Sequence, residues 1–367
     1  MLANDGAQAL DSRRDDWFLL PFVGDRVVRA QLLVQPFGKS KSRLRGLFLA
    51  LNIDEVIEDA IAVRADGDRA NQQVFAVRYH AARERWAGIY YVHRTQTFNS
   101  PNGPFLRAHV IDGAFDFDWR SKGAGLRLQG EALAIFGRTD LAPTPDHPEH
   151  DVVQAAGAIR ARWDSGPTGL RTELDAGMFS GDDNLDDARV SGFKANINFQ
   201  QGILLFAHVL GWQSGRARIT ASDPDFVGYP AQDLDRLTTG GSVTSAITVF
   251  PKVGYKISDS LELYGGALLA FSPQPLIDPF STRAVGGGSP RNYLGKAPQG
   301  SMLGTELDLG AVATLTPNGL PVMFRVRAEY AVLAPGGVMD GIGDDGPIHG
   351  GRLTLQVLSA PKAGGVK

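Results

Sequence analysis

Three groups of residues have types and spacing that could do chemistry. The first is "DDNLDD" from Asp182 to Asp187, four acids in six residues. Asp182, Asn184 and Asp186 follow the D-x-N-x-D opening of a calcium loop, which places oxygen ligands at alternate positions. Asp187 stands where such a loop needs glycine, and no closing Glu follows, so a solvated acidic loop competes with a weak calcium site. The second is "DHPEH" (Asp146 to His150), two imidazoles three residues apart among carboxylates, a spacing that can hold a metal on a helix. Pro145 and Pro148 argue against that helix, leaving an exposed polar loop as the reading. The third group is spread over many segments in which charged residues occupy every second position.

Those segments must be strands. "PVMFRVRAEYAVL" sets Phe324, Val326, Ala328, Tyr330 and Val332 against Arg325, Arg327 and Glu329. "GLRLQGEALAIF", "VVQAAGAIRARW", "GLRTELDAGMF" and "SMLGTELDLGAVATL" repeat the pattern. Each runs for roughly nine to fourteen residues, against about five or six for an ordinary strand and about nine to eleven for a tilted bilayer crossing. Connections alternate between short ones, as at Ser165 to Thr168, and long polar ones: Ile53 to Ala70, Asn99 to Pro104, Ala142 to His150, Gly181 to Ser191, Ser222 to Gly240, Ser272 to Gly300 and Pro335 to Pro347. That rhythm predicts an all-β, up-and-down antiparallel transmembrane β-barrel of about 16 strands (about 14–18), with short periplasmic turns and long extracellular loops. Trp86, Trp119 and Trp163 near short turns, and Phe98, Phe136, Phe179 and Phe271 near long loops, are expected to form two aromatic girdles.

If the apolar faces meet lipid, the charged faces line a lumen. The expected pore-lining set includes Arg78, Arg127, Glu131, Arg160, Arg162, Arg171, Glu173, Asp175, Lys252, Lys256, Glu306, Asp308, Arg325, Arg327 and Glu329. Opposed charges of this kind select solutes by sign, or else neutralise one another in a filled lumen. Ser272 to Gly300, the longest loop, is the natural constriction. Between Phe179 and Ser242 the chain must cross an even number of times, and "FKANINF" and "ILLFAHVLGW" read as two short crossings joined at "QQG". Counting then gives about fifteen strands, whereas single-chain bacterial barrels have even numbers. A further strand is expected within "DDWFLLPFVG" or upstream of Met1. Residues 1–25 are thus an N-terminal segment, 26–360 one barrel domain and 361–367 a tail.

Composition narrows the classes. Lys plus Arg number 37 and Asp plus Glu 40, a net charge of −3 that disfavours nucleic-acid binding. With no cysteine there is no thiolate nucleophile and no Cys-type zinc site. The longest apolar run, Gly202 to Trp212, is about half of what a spanning helix needs. The first twenty residues lack the basic and apolar regions of a secretory signal, so a truncated or misplaced start is expected. "GGGSPRN" (Gly286 to Asn292) is a loop, and no Gly-x-Ser-x-Gly elbow, P-loop or H-E-x-x-H motif occurs. The expectation is a chain that is not an enzyme and takes no cofactor.

The ribbon that opens into "SGDDNLDD" resembles the outer-membrane channels of the alginate-export type, in which a strand runs into a loop rich in Gly, Asp and Asn. Long loops and charged inner faces extend the resemblance over most of Val27 to Val357. It implies a porin-like channel in the outer membrane of a Gram-negative bacterium, passing anionic polysaccharide or small solutes through a basic lumen. The lipid bilayer, the barrel-assembly machinery and the permeating solute or polysaccharide would be its partners. Two features depart from that pattern: the inward charges are mixed, and the last strand, "GRLTLQVL", carries no aromatic residue. A barrel with a plugged lumen, serving as a structural or surface-binding protein through its loops, is the alternative.

Overall fold

The computed structural model describes residues 17–18, 24–82, 85–100, 103–121, 123–215, 233–317, 322–339 and 346–359. The strands are β1 (Arg26–Val34), β2 (Leu47–Glu58), β3 (Arg69–Ala82), β4 (Arg85–Thr97), β5 (Phe105–Ser121), β6 (Ala124–Thr139), β7 (His150–Asp164), β8 (Leu170–Phe179), β9 (Arg189–Val190), β10 (Ala246–Ser258), β11 (Leu261–Phe271), β12 (Met302–Leu315), β13 (Val322–Pro335) and β14 (Ile348–Ser359). They form one 14-stranded sheet in which the long strands pair antiparallel with their sequence neighbours. The two-residue β9 pairs parallel with β7 and lies off that path.

This is the expected all-β up-and-down topology, and the strands reach 17 residues in β5. Alternation sets the faces: Leu307 and Leu309 are exposed while Glu306 and Asp308, which alternate with them, are fully buried. The exposed strand side chains include Ile89, Leu309, Leu353 and Leu355, and the buried ones include the carboxylates of Asp54, Glu173, Asp175, Glu306, Asp308 and Glu329 beside apolar residues. A soluble sheet does the reverse. No described helix is long and apolar enough to cross a membrane.

The centre of the chain departs from the sequence reading. β8 pairs directly with β10, and among the described residues between Phe179 and Ala246 no long strand intervenes. "FKANINF" is a loop in which the Asn196 side chain accepts the Asn198 backbone N–H, the local bond that draws Asn away from strands. "ILLFAHVLGW" contains a π-helical turn, Leu205–Leu210, with Leu205, Phe206 and Leu210 buried. Its apolar side packs inward while His208 and Trp212 are exposed, so the run has two faces at helical rather than strand spacing. β2 also continues through Ile53 to Glu58, where a loop was expected.

The strand expected in "DDWFLLPFVG" is not found at its described residues. Trp17 and Phe18 lie against the concave face of β10 and β11, Trp17 stacked on Tyr264 at 5.4 Å between ring centroids. Most of segment 1–25, much of the loop Ser222 to Gly240 and the tail 361–367 lie outside the described residues. Among the described residues β1 and β14 are the two edges of the sheet, which is not closed. Both run from the long-loop side to the short-turn side, so closing the sheet by antiparallel pairing takes one more strand between them.

The girdles form in part. Trp119, Trp163, Phe136 and Phe271 are exposed on the outer face. Phe179 and Phe98 are buried, and Trp86 turns inward beneath the Arg78 guanidinium, 3.7 Å from its ring centroid. In each case an inner partner captures the ring: Phe193 and Phe199 pack on Phe179, and Arg236 lies over Phe98.

Candidate functional site

The concave face of β7, β8 and β10 gathers the densest set of charged groups. Register places Arg160 beside Asp175 and Arg162 beside Glu173 across β7 and β8, and Lys252 beside Glu173 across β8 and β10. Alternation turns all five inward. Arg160 Nε donates to Asp175 Oδ1 at 2.7 Å, Arg162 Nε to Glu173 Oε2 at 2.7 Å, and Arg171 Nη2 to Glu173 Oε2 at 3.1 Å. Lys252 Nζ donates to Asp175 Oδ2 at 2.9 Å and is also paired with Glu173. Four cations thus surround two carboxylates that water does not reach. On β6, Arg127 meets Asp116 through two bonds of 2.9 and 2.6 Å and lies in register with Arg162. Asp118, in register with Arg127, and buried Glu131 on β6 belong to the same inward face, so five cations meet five carboxylates in a nearly balanced group.

A second polar group lies on β12 to β14, spaced apart from the first in the sheet order. Both oxygens of Glu306 are taken by backbone: Oε1 accepts from Ile203 and Leu204 at 2.5 and 2.7 Å, and Oε2 from Leu205 at 2.8 Å. Gly202, at φ 71°, makes the left-handed turn that aims these three N–H groups at the carboxylate. Glu329 accepts from Tyr264 Oη at 2.8 Å, from the Phe18 backbone at 3.0 Å and from Arg352 Nε at 2.9 Å. Asp308, two residues from Glu306 on the same face of β12, is also fully buried. The remaining residues of the expected lining set fall outside both groups. Arg78 covers Trp86, Arg325 and Arg327 lie toward the short-turn end of β13, and Lys256 is exposed near the end of β10.

The two polar groups do not face an empty space. Phe193, Phe199, Ile203 to Phe206, Leu210 and Val243 pack with Phe250, Tyr264, Leu268, Val312 and Leu333 in one buried cluster that also takes in Trp17 and Phe18. Arg171 lies 4.0 Å from the Trp17 ring centroid, and Trp17 Nε1 donates to Glu262. The chain's own segments therefore cover the concave face of β10 to β13. Long loops also reach across the mouth. Arg236, on the segment leading into β10, donates to Asp68 at 3.1 Å and to the Asn99 carbonyl at 3.1 Å, beside β3 and β4. Arg283, between β11 and β12, donates to the carbonyls of Ala142 and Pro143, between β6 and β7. Lys194 Nζ donates to the Thr238 carbonyl, and burial pushes its ammonium down to about 8.

Sequence reasoning missed the aromatic filling. Its signal was present: Gly254 and Tyr264 share the inward parity of neighbouring, register-paired strands, and a Cβ on Gly254 would lie 2.2 Å from Trp17. A glycine facing inward beside an aromatic marks a place where another ring lies flat on the backbone.

The candidate metal loops are used otherwise. Asp182 Oδ1 accepts the Asn184 N–H and its Oδ2 the Ser191 N–H, while Asn184 Oδ1 accepts the Asp186 N–H. Burial and the neighbouring Asp187 and Asp183 push the Asp182 carboxyl up. Among the described residues no three His, Asp or Glu side chains converge as metal ligands. His150 is buried, not exposed as its loop was expected to be, with its ring nitrogens 2.8 and 3.3 Å from the carbonyls of Asp187 and Ala142.

No family model and no curated protein matches the sequence. Among solved structures, the chain is similar to the outer membrane phospholipase of Salmonella typhi, solved as a dimer with bound calcium, with a TM-score of 0.26 and 10% identity over 98% of this chain and 99% of that one. That protein is an enzyme by its title, so the expectation that the present chain is not one is withdrawn. A barrel architecture does not carry a non-catalytic role with it.

Proposed function

We propose that the chain is an outer-membrane β-barrel that passes small anionic solutes, with its own loops and the inserted Phe193 to Leu210 segment limiting passage. The observation that carries this reading is the convergence of Arg127, Arg160, Arg162, Arg171 and Lys252 on the concave face of β5 to β10, where several cations share each of Glu173 and Asp175. A wet path along such a wall lowers the energy of an anion and raises that of a cation. The exposed apolar outer face supports the membrane setting, because an unpartnered greasy belt of this extent is stable only against lipid or another apolar surface.

Planar-bilayer recording tests the proposal. Folded protein should give single-channel steps with a reversal potential on the anion side in a chloride gradient, and Arg236→Ala, which unties one mouth-spanning loop, should raise the open fraction. The absence of steps from both proteins would sink the channel reading. That result would favour a second reading, which the aromatic filling of β10 to β13 supports: a plugged barrel whose long loops are its binding surface.

A further inference from the structure

Among the described residues, the connection between β1 and β2 is the longest on the short-turn side: twelve residues, 35–46, where β10 and β11 reverse through two. It carries Lys39, Lys41, Arg43 and Arg45 at alternate positions, and no acid occurs from Ala30 to Ile53. All four are exposed, and none has an acidic partner among the described residues. Like charges held this close without acids favour an anionic surface beside them. The loop is also fastened to the outer wall. Tyr79 faces outward on β3, opposite Leu47, and its Oη donates to the Arg43 carbonyl at 2.9 Å. Gln35 Nε2 donates to the Arg45 carbonyl at 2.7 Å, and the Ser42 side chain caps the single 3-10 turn Arg43–Gly46. Phe37 and Leu44 are exposed within the same loop, and the outward pair Leu51 and Phe75 continues the apolar face beyond it. Exposed Trp119 and Trp163 mark the headgroup level at this rim.

We propose that the loop of residues 35–46 is an interfacial anchor that gathers anionic glycerophospholipid headgroups in the leaflet on the short-turn side, which is periplasmic in an outer-membrane barrel. The inference rests on the membrane reading above. The four cations share several phosphates and do not enclose one, as a polybasic segment beside a charged membrane does. Their long apolar stems let them lie along the interface while the charged ends stay in water. Phe37 and Leu44 enter the interface beside the upper acyl carbons, and Tyr79 sets the loop at that depth. A soluble polyanion would answer the charge alone. It would leave the two exposed apolar side chains and the fastening to the lipid-facing wall without a partner, whereas a lipid surface meets all three.

Electron spin resonance of the chain folded into dioleoylphosphatidylcholine vesicles, with spin-labelled phosphatidylglycerol or phosphatidylcholine as the probe, tests it. Wild type should immobilise phosphatidylglycerol in preference, and K39Q/K41Q/R43Q/R45Q should lose roughly three-fold or more of that preference. K39Q/K41Q, which leaves the 3-10 turn intact, should lose part of it and gives the test if the quadruple variant does not fold. In about 1 M NaCl, where the screening length is about 3 Å, wild type should approach the quadruple variant. An undiminished preference in the folded variants would overturn the proposal. Competition separates lipid from a soluble polyanion: phosphatidylglycerol retained against excess tripolyphosphate at matched ionic strength supports the anchor, and its release overturns it in favour of a soluble partner. The membrane reading is checked in the same samples by heat-modifiable gel migration. A wild-type protein that stays soluble without detergent and shows no such shift overturns both, whereas a shifted protein without lipid preference overturns this inference alone.

Discussion

Glu173 shows how alternate residues on neighbouring strands become one electrostatic unit. Its side chain is fully buried, and Arg160, Arg162, Arg171 and Lys252 converge on it and on Asp175. Burying a charge is tolerable only where it is paired, so removing the centre of the group leaves several cations without their partner. Glu173→Ala should cost about 3–5 kcal/mol, read as a lower urea midpoint of the folded chain in vesicles. Substituting Glu173 together with Arg162 should cost less than the sum of the two single changes, and strict additivity would show that the group does not act as a unit. Lys194 offers a pH test. Its ammonium has an ordinary value of 10.5 and is pushed down to about 8 by burial, so between those values the unfolded chain binds more protons than the folded one. Stability should therefore be flat below pH 8 and rise as the pH goes from 8 to 10.5. Urea midpoints at pH 7.5 and 9.5 should differ for wild type and coincide for Lys194→Met; a slope that survives in the variant would assign it elsewhere. The alternation of Arg and acid was legible in the sequence. Which acid met which base was not, because register sets it.

Among the elements, the segment from Phe193 to Leu210 is the one the sequence reading placed in the wrong position. Its apolar run does not alternate as a crossing strand would, and it folds into a π-helical turn at whose start the backbone N–H groups of Ile203, Leu204 and Leu205 end on Glu306. The carboxylate on β12 and the apolar segment some hundred residues before it make one contact. Nothing in either stretch alone announces it. Trp17 is placed in the same way, on the flat patch that Gly254 leaves in β10. Gly254→Val should drive the indole off the sheet while leaving the strands paired. In a background where Trp86, Trp119, Trp163 and Trp212 are replaced by Phe, acrylamide quenching of Trp17 emission should rise in the variant with heat-modifiable migration retained. Unchanged quenching would mean that Trp17 does not occupy that patch in solution.

At the scale of the whole molecule, the distribution of greasy and charged faces is inverted relative to a soluble sheet, and one substitution can weigh that inversion. Leu309 is 64% exposed near the middle of β12, and Leu126 is exposed near the short-turn end of β6. In a bilayer, Leu309→Arg should cost about 2–4 kcal/mol and Leu126→Arg about 0–1, because the penalty depends on depth. The fraction of heat-modifiable protein recovered on folding into vesicles reads the difference. Equal recovery of the two variants would mean that no apolar medium surrounds the strands. The loops tie this frame across its mouth through Arg236 to Asp68 and Arg283 to Ala142, so the outer face and the covered inner face belong to one folded unit.

The sequence by itself determined the strands, their unusual length, the alternation of short and long connections, and hence an up-and-down sheet with an apolar outer face. These follow from local periodicity and chain direction, which any segment carries within itself. Only the tertiary structure decided that β8 pairs directly with β10, that the concave face is filled by Trp17, Phe18 and the Phe193 to Leu210 segment, and that Tyr79 fastens the basic loop of residues 35–46 to the outer wall. Those are contacts between residues far apart in the chain. Their energy depends on register and on what else competes for the same surface, and neither is written in the spacing of any one stretch.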